Sequence, residues 1–153
     1  IHYAPITLPR VQASLDHLPF ANAAFDLAIF NASFHYAEDF AATLAEALRC
    51  LRPGGAVVIA DTPWYAQEAS GLAMVAEKHA AFRSAYGFAS NSVPSQEFLT
   101  PHRLERLAST FHLTWQVIKP FYGFDWALRP IRAKFGGHRI PSQFHIFVAE
   151  VNR

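Results

Sequence analysis

The sequence predicts an α/β fold built on an open, largely parallel sheet, and three observations lead to this prediction. Two apolar runs, residues 25–30 and 56–60, have the length and the continuous hydrophobicity of strands that are buried on both faces. Between them, residues 40–51 carry apolar side chains at helical spacing. Pro53-Gly54-Gly55 follows, and we expect it to stop the helix. Strand, helix and strand in this order predict a βαβ unit with a right-handed crossover.

The composition excludes several classes of protein. Hydrophobic residues make up 52% of the 153 residues and charged residues 16%, which is typical of one globular domain and excludes a disordered chain. The net charge of +1 gives no reason to expect binding to nucleic acid or to an anionic membrane. Basic residues gather only between Arg129 and Arg139, which we interpret as a solvated basic segment.

The cysteine and histidine content indicates a cytoplasmic protein without a metal site. Cys50 is the single cysteine, so no disulfide forms within the chain, and this fits a reducing compartment. It falls beside the apolar stripe of the helix, where a small core residue is more typical than a nucleophile. The histidines are far apart and form no HxxxH pair, so we expect no zinc site. A run of about 18 apolar residues is absent, and we expect no transmembrane helix.

The amino-terminal third contains one more predicted strand and the ends of the first helix. Residues 11–15 form a short apolar stretch that we expect to end a strand. Glu38 and Asp39 precede the helix and Arg49 and Arg52 lie at its end, an arrangement that complements the helix dipole. The predicted buried stripe of this helix consists of Phe40, Leu44, Leu48 and Leu51.

The rest of the chain predicts two more helices and two more strands. Apolar and aromatic residues between Leu72 and Tyr86 recur at helical spacing, and Gly87 is placed to end that helix. Thr100 is placed to cap a further helix, with Pro101 in its first turn. The remaining predictions are a strand over residues 113–118, an irregular segment over residues 124–141 and a final strand over residues 144–151.

Several motifs in register resemble class I S-adenosylmethionine-dependent methyltransferases that act on small molecules. They are Leu18-Pro19-Phe20 followed after four residues by Phe25-Asp26, the segment Asn31 to Asp39 that contains Phe34-His35-Tyr36, the turn Leu51-Arg52-Pro53-Gly54-Gly55, and the late helix that starts at Thr100-Pro101. The resemblance implies a Rossmann-like methyltransferase sheet, incomplete at its N-terminal side, whose last strand is antiparallel. It also implies S-adenosylmethionine as cofactor and a small, partly apolar methyl acceptor.

One expected part of such a domain is missing from the sequence. The family's cofactor site begins with a glycine-rich loop, whereas the first glycine here is Gly54, which belongs to a later turn. We therefore expect residues 1–153 to be the C-terminal portion of a methyltransferase domain, an expectation to which the initial Ile also contributes. Residues 64–98 are predicted to form a helical, cap-like insertion.

The missing loop has two expected consequences. Alone, the chain should bind S-adenosylmethionine weakly or not at all and should be inactive. In addition, the strand over residues 25–30 should have an open apolar edge, so we expect the chain to associate with a second copy of itself.

The resemblance places cofactor contacts after two strands, where open α/β sheets bind ligands. The first set is Ser14, Leu15 and Asp16, and the second is Asn31, Ala32 and Ser33. Ser14 stands where the family commonly has an acidic residue, so Asp16 is the candidate acceptor for an adenine amino group. The alternative is that both segments are ordinary polar turns.

The same resemblance suggests residues for the acceptor. His35 is a candidate general base, because the pKa of histidine lies near operating pH; the alternative is a packed, hydrogen-bonded side chain. The predicted acceptor pocket consists of Tyr36, Trp64, Tyr65, Phe82 and Tyr86. These aromatic residues also fit the core of a helical cap. Two further interpretations of the whole chain stay open: a non-catalytic, methyltransferase-like scaffold and a different Rossmann-like enzyme.

Overall fold

A computed structural model of the chain describes residues 9–89, 94–137 and 139–151. The strands are β1 (Phe25–Asn31), β2 (Leu51–Ala60), β3 (Gln116–Ile118) and β4 (Ile146–Glu150). They form a sheet in the order β1-β2-β4-β3, in which β1 and β2 are parallel and β4 is antiparallel to both β2 and β3. The predicted Rossmann-like sheet with an antiparallel last strand is therefore confirmed.

Helix α1 (Phe40–Cys50) joins the two parallel strands, as the sequence predicts. Asp39 caps it, since its carboxylate accepts hydrogen bonds from the backbone N–H groups of Ala41 at 2.6 Å and Ala42 at 3.0 Å. All four residues of the predicted stripe are buried. Because α1 lies along one face of the sheet, its amino terminus and the carboxyl end of β1 are at the same edge.

The Pro53-Gly54-Gly55 motif does not stop α1, in contrast to our expectation. Leu51 is already extended and begins β2, so the motif lies inside the strand. It forms a bulge, because Phe25 pairs with Leu51 and Leu27 pairs with Ala56. Gly54 has a φ of +76°, and a Cβ on Gly55 would lie 2.9 Å from the carbonyl oxygen of Arg52. The two glycines are therefore required by the bulge.

Strand β1 is buried on one of its two faces and exposed on the other. Phe30 of β1, Ile59 of β2 and Phe147 of β4 are neighbours on the covered face and are buried. The predicted burial of β1 on both faces is wrong, because Phe25, Leu27 and Ile29 are 40%, 49% and 59% exposed. Successive side chains of a strand point to opposite faces, so these three share the face opposite to that of the buried Phe30.

The predicted strand over residues 11–15 is also absent from the structure. Residues 14–17 form a tight turn instead, closed by a hydrogen bond of 3.2 Å from the His17 N–H to the Ser14 carbonyl. Val11 is 55% exposed. A strand needs a neighbouring strand to satisfy its backbone, and none of the described strands lies beside this segment.

The later helices are α2 (Glu68–Tyr86), α3 (Pro101–Phe111), α4 (Phe124–Ala127) and α5 (Arg129–Phe135). Gly87 ends α2 in the left-handed conformation, and the Thr100 hydroxyl caps α3, as predicted. The strand expected over residues 113–118 is shorter, since only Gln116–Ile118 pair with β4. No helix in the part of the chain described here has the length and apolar character needed to cross a membrane.

The segment expected to be irregular, residues 124–141, contains the two short helices α4 and α5. Pro130 does not break α5 but lies in its first turn, where a missing N–H costs no hydrogen bond. The basic segment between Arg129 and Arg139 is not fully solvated either, because both of these arginines are half-buried.

Candidate functional site

The candidate site lies where β1 and β2 end at the same edge of the sheet. Asn31 pairs with Ala60, and the N–H of Ala32 donates to the carbonyl of Ala60 at 3.0 Å. The next residues of both strands are left-handed, with φ of +50° at Ala32 and +51° at Asp61. This conformation is uncommon for residues other than glycine and is concentrated at binding and catalytic sites.

A short 3₁₀ helix, Phe34–Tyr36, follows β1 and is anchored by aromatic packing. Phe34 is fully buried, and its ring stacks on that of Phe40 with centroids 4.6 Å apart. The N–H of Tyr36 donates to the Ser33 carbonyl at 3.0 Å, which closes the turn. Ser33 is half-buried, and Tyr36 is 58% exposed at this edge.

His35 occupies an environment that keeps its imidazole neutral. Burial lowers its pKa below the ordinary value of 6.5, the charge of Lys78 lowers it further, and the carboxylates of Glu97 and Asp61 oppose these effects. Its ring centroid lies 4.2 Å from that of Tyr36. No described residue forms a hydrogen bond with the buried Nδ1. A neutral imidazole with a free nitrogen has the properties of a general base.

Glu97 and Lys78 form the charged neighbourhood of His35. The Lys78 ammonium donates to the Glu97 carboxylate at 2.7 Å, and the Ser95 hydroxyl donates to the other oxygen at 3.0 Å. The Glu97 N–H also donates to the His35 carbonyl at 2.8 Å. Although burial raises the pKa of Glu97, these two side-chain hydrogen bonds lower it more, so the carboxylate is ionised.

A second buried polar atom without a partner lies at the end of β2. Thr62 is fully buried, and its hydroxyl has no hydrogen-bond partner among the described residues. Such unpaired buried groups are rare in native proteins and call for an explanation. Sequence reasoning missed Asp61 and Thr62, although their position after a strand was a usable signal. Lys78 and Glu97 are remote in sequence, and no pattern indicated them.

The other predicted cofactor segment, residues 14–16, forms a self-contained turn. The Ser14 hydroxyl donates to the Asp16 carboxylate, so the two side chains act as a pair. Leu15 packs against the core. No hydrogen bond among the described residues joins this turn to Asn31, Ala32 or Ser33.

The Leu18-Pro19-Phe20 motif is held on α1 by one ion pair. The Glu46 carboxylate accepts from the Leu18 N–H at 2.8 Å, and the Arg49 guanidinium donates to the carbonyls of Phe20 at 2.8 Å and Leu18 at 3.2 Å. Hydrogen bonds from Arg49 and from the Leu18 N–H lower the pKa of Glu46 to about 2. The motif thus has a structural role, because it fixes the chain that leads into β1.

The predicted aromatic residues of the acceptor pocket fall into three groups. Tyr36 lies beside His35. Trp64 and Tyr65 follow β2: the Trp64 backbone pairs with Gln143, and Tyr65 is buried with its hydroxyl 3.3 Å from an Arg139 nitrogen. Phe82 and Tyr86 contact each other near the end of α2, with ring centroids 4.5 Å apart. Three cavities, of about 730, 510 and 170 Å³, are lined by other residues.

Comparison with known proteins agrees with this geometry. A family model described as "methyltransferase domain" matches residues 3–59. Malonyl-[acyl-carrier protein] O-methyltransferase of Pseudescherichia vulneris is 29% identical over 126 residues, which cover 82% of this chain and 45% of that protein. The uncharacterized protein YafE of Escherichia coli is 42% identical over 50 residues, which cover 33% of this chain and 24% of that protein. A structure of geranyl diphosphate C-methyltransferase from Streptomyces coelicolor matches with a TM-score of 0.55 and 14% identity, covering 91% of this chain and 50% of that chain.

Residues 3–59 are thus similar to the methyltransferase domain family, and the chain shares the fold of a solved methyltransferase. The chain spans 24% and 45% of the length of the two curated relatives it matches, so it corresponds to only part of each of them.

Proposed function

We propose that this chain is the acceptor-side portion of an enzyme that transfers a methyl group from S-adenosylmethionine to a small, partly apolar molecule. The observation that carries this proposal is the edge formed by Asn31–Ser33 and Asp61–Thr62, which contains two left-handed residues and the buried Thr62 hydroxyl, without a partner among the described residues. Unpaired buried groups and strained backbone at strand ends fit a ligand that is held there.

The residues of this edge fit the cofactor by exposing backbone and small side chains. Asn31 and Ala32 are exposed, and Ala32 lacks a bulky side chain that would block close approach. In this proposal Asn31, Ala32 and Ser33 contact the amino-acid part of the cofactor, and the turn of Ser14, Leu15 and Asp16 contacts its adenine. When bound, S-adenosylmethionine supplies an already activated methyl group, so the protein's task is to align the acceptor.

On the acceptor side, the neutral imidazole of His35 is proposed to take a proton from the acceptor. Tyr36, which is exposed and next to His35, would line the acceptor site. Trp64, Tyr65, Phe82 and Tyr86 belong to a proposed cap over residues 64–98, of which residues 90–93 lie outside the described part. Tyr65 would support this cap from within, since it is buried.

The proposal is tested by calorimetric titration of S-adenosylhomocysteine into the intact protein that contains this chain. Asn31→Ala should weaken binding about fivefold, as expected for one lost hydrogen bond. Gln116→Ala is the matched control, because Gln116 is an exposed amide on β3, which β2 and β4 separate from β1. Equal affinity of the wild type and Asn31→Ala would count against the proposed cofactor contact.

S-adenosylmethionine binding by the isolated chain and by the intact protein distinguishes the enzyme interpretation from the scaffold interpretation. Its sequence contains no glycine-rich loop before Gly54, so we propose that it binds S-adenosylmethionine far more weakly than the intact protein. Micromolar affinity of the 153 residues alone would contradict this. An intact protein that fails to bind the cofactor would instead favour the scaffold.

A further inference from the structure

Three arginines that belong to no predicted site line one cavity of the molecule. Arg129, Arg132 and Arg139 face a cavity of about 510 Å³, together with a single carboxylate, that of Glu77. Guanidinium groups present forked donors that match carboxylate and phosphate oxygens. The excess of cationic over anionic side chains therefore indicates an anion as the occupant.

Two of these arginines are held in position by neighbouring side chains. The Arg129 guanidinium carbon lies 3.9 Å from the centre of the Trp126 ring, so stacking fixes its plane and leaves its edge donors free. Arg139 donates through Nε to Glu77 at 2.7 Å and through one terminal nitrogen to the Tyr65 hydroxyl at 3.3 Å. Its other terminal nitrogen has no hydrogen bond within the described residues.

Arg132 is different, because its partner is easily exchanged. It contacts Asp125 at 3.1 Å, and the two side chains are 64% and 95% exposed. Such an exposed ion pair contributes little to stability. An anion in the cavity would compete with Asp125 for this guanidinium.

A second cavity, of about 170 Å³, adjoins the first and has an apolar character. The two share Arg129, Pro141 and Ser142. The aromatic side chains of the smaller cavity come from Phe121, Tyr122, Trp126 and Phe144. Together the two cavities form one groove, which we call the arginine–aromatic groove, with an apolar compartment and a cationic compartment.

The groove lies at the same edge of the sheet as the candidate cofactor site. Residues 119–122 follow the end of β3, and Phe144 and His145 precede β4. Ile118 pairs with Ile146, and Phe147 pairs with Ile59 near the end of β2. The Trp64 backbone, which follows β2, bonds Gln143 of the groove wall.

We propose that the arginine–aromatic groove binds the part of the methyl acceptor that lies away from His35 and Tyr36, and that this acceptor is an amphipathic molecule. Its apolar or aromatic part occupies the compartment beside Trp126, and its carboxylate or phosphate group binds Arg129, Arg132 and Arg139. That the bound molecule is the methyl acceptor rests on the proposed methyl-transfer function. That the groove binds an amphipathic anion follows from its lining residues alone.

The proposal is tested by titrating the 153-residue chain with four probes in the absence of S-adenosylmethionine. They are 1-naphthyl phosphate, 1-naphthoate, the neutral 1-naphthol and inorganic phosphate. One of the two naphthyl anions should bind at least roughly tenfold more tightly than naphthol and than inorganic phosphate, because only it fills both compartments. The stronger of the two anions identifies the group as phosphate or carboxylate.

Variants assign the binding to the groove. Arg129→Gln and Arg132→Gln should each weaken the binding of the stronger anion roughly tenfold and leave the affinity for naphthol unchanged. Arg132 is exposed, so its replacement keeps the test valid if the half-buried Arg129→Gln variant fails to fold. Arg83→Gln is the control, because it removes the same charge from an exposed position on α2 and should leave the affinity for the anion unchanged.

Equal affinity for naphthol and both anions would overturn the proposal. The proposal would also be overturned if Arg83→Gln lost as much affinity for the stronger anion as the groove variants. If the chain shows no preference for the anions and the intact protein binds S-adenosylhomocysteine normally, the groove proposal is wrong and the proposed function stands. The reverse result would leave an anion-binding groove on a protein that does not bind the cofactor.

Discussion

At the residue scale, the side chains of the candidate site have environments that are determined by residues distant in the sequence. His35 was predicted from its position after a strand, but its neutral state results from burial and from the charge of Lys78, which the Glu97 carboxylate opposes. Neither partner was predictable, because the contact joins positions that are about 60 and 40 residues apart along the chain and has no local pattern. Asp61 and Thr62, by contrast, follow a strand and were within reach of the same argument that selected Asn31.

The pKa of His35 can be tested directly in this chain. An NMR titration should give a His35 pKa below 6.5, because burial disfavours the imidazolium. Glu97→Gln should lower it further, since the Glu97 carboxylate raises this pKa. The depressed value means that the contribution of His35 to stability is present above pH 6.5 and is lost as pH falls. A higher pKa in Glu97→Gln would refute this environment.

At the element scale, local patterns predicted most helices and strands, and their failures have physical causes. Helix α1 and the cap of α3 were predicted because Asp39 and Thr100 are cap residues next to periodic apolar positions. The strand over residues 11–15 did not form because strands depend on a partner that the pattern does not specify. Helices α4 and α5 were missed because Pro130 was interpreted as irregular structure.

The position of α2 depends on one glycine. A Cβ on Gly71 would lie 2.2 Å from the ring of Phe98, which is fully buried between Tyr65 and Arg103. Replacing glycine by alanine in a helix ordinarily stabilises it by about 1 kcal/mol. Here the clash reverses the sign, and Gly71→Ala should lower the free energy of unfolding by about 1–3 kcal/mol.

Chemical denaturation measures this effect, with Ser84→Ala as the control in the same helix. Ser84 is exposed, so its replacement adds helix propensity without a clash. If Gly71→Ala were as stable as Ser84→Ala, the packing of α2 on Phe98 would be wrong.

At the scale of the whole molecule, the described structure is a four-stranded sheet in which β1 is exposed on one face. The motifs of residues 18–60 predicted the parallel pair and the similarity to the methyltransferase family model, but they did not predict the exposed face of β1 or that distant arginines line one groove. Both depend on tertiary packing, which sequence periodicity does not specify. Self-association through the open edge of β1 stays a prediction, which sedimentation of the chain tests.

The central claim is that the ends of β1 and β2 contact the cofactor. Amide chemical shifts of the isotope-labelled intact protein, followed during titration to saturation with S-adenosylhomocysteine, test it most directly. Within this chain, the largest changes should fall on residues 31–36 and 61–62, with little change in β3, which β2 and β4 separate from β1. Saturation with unchanged shifts at residues 31–36 and 61–62 would contradict the claim.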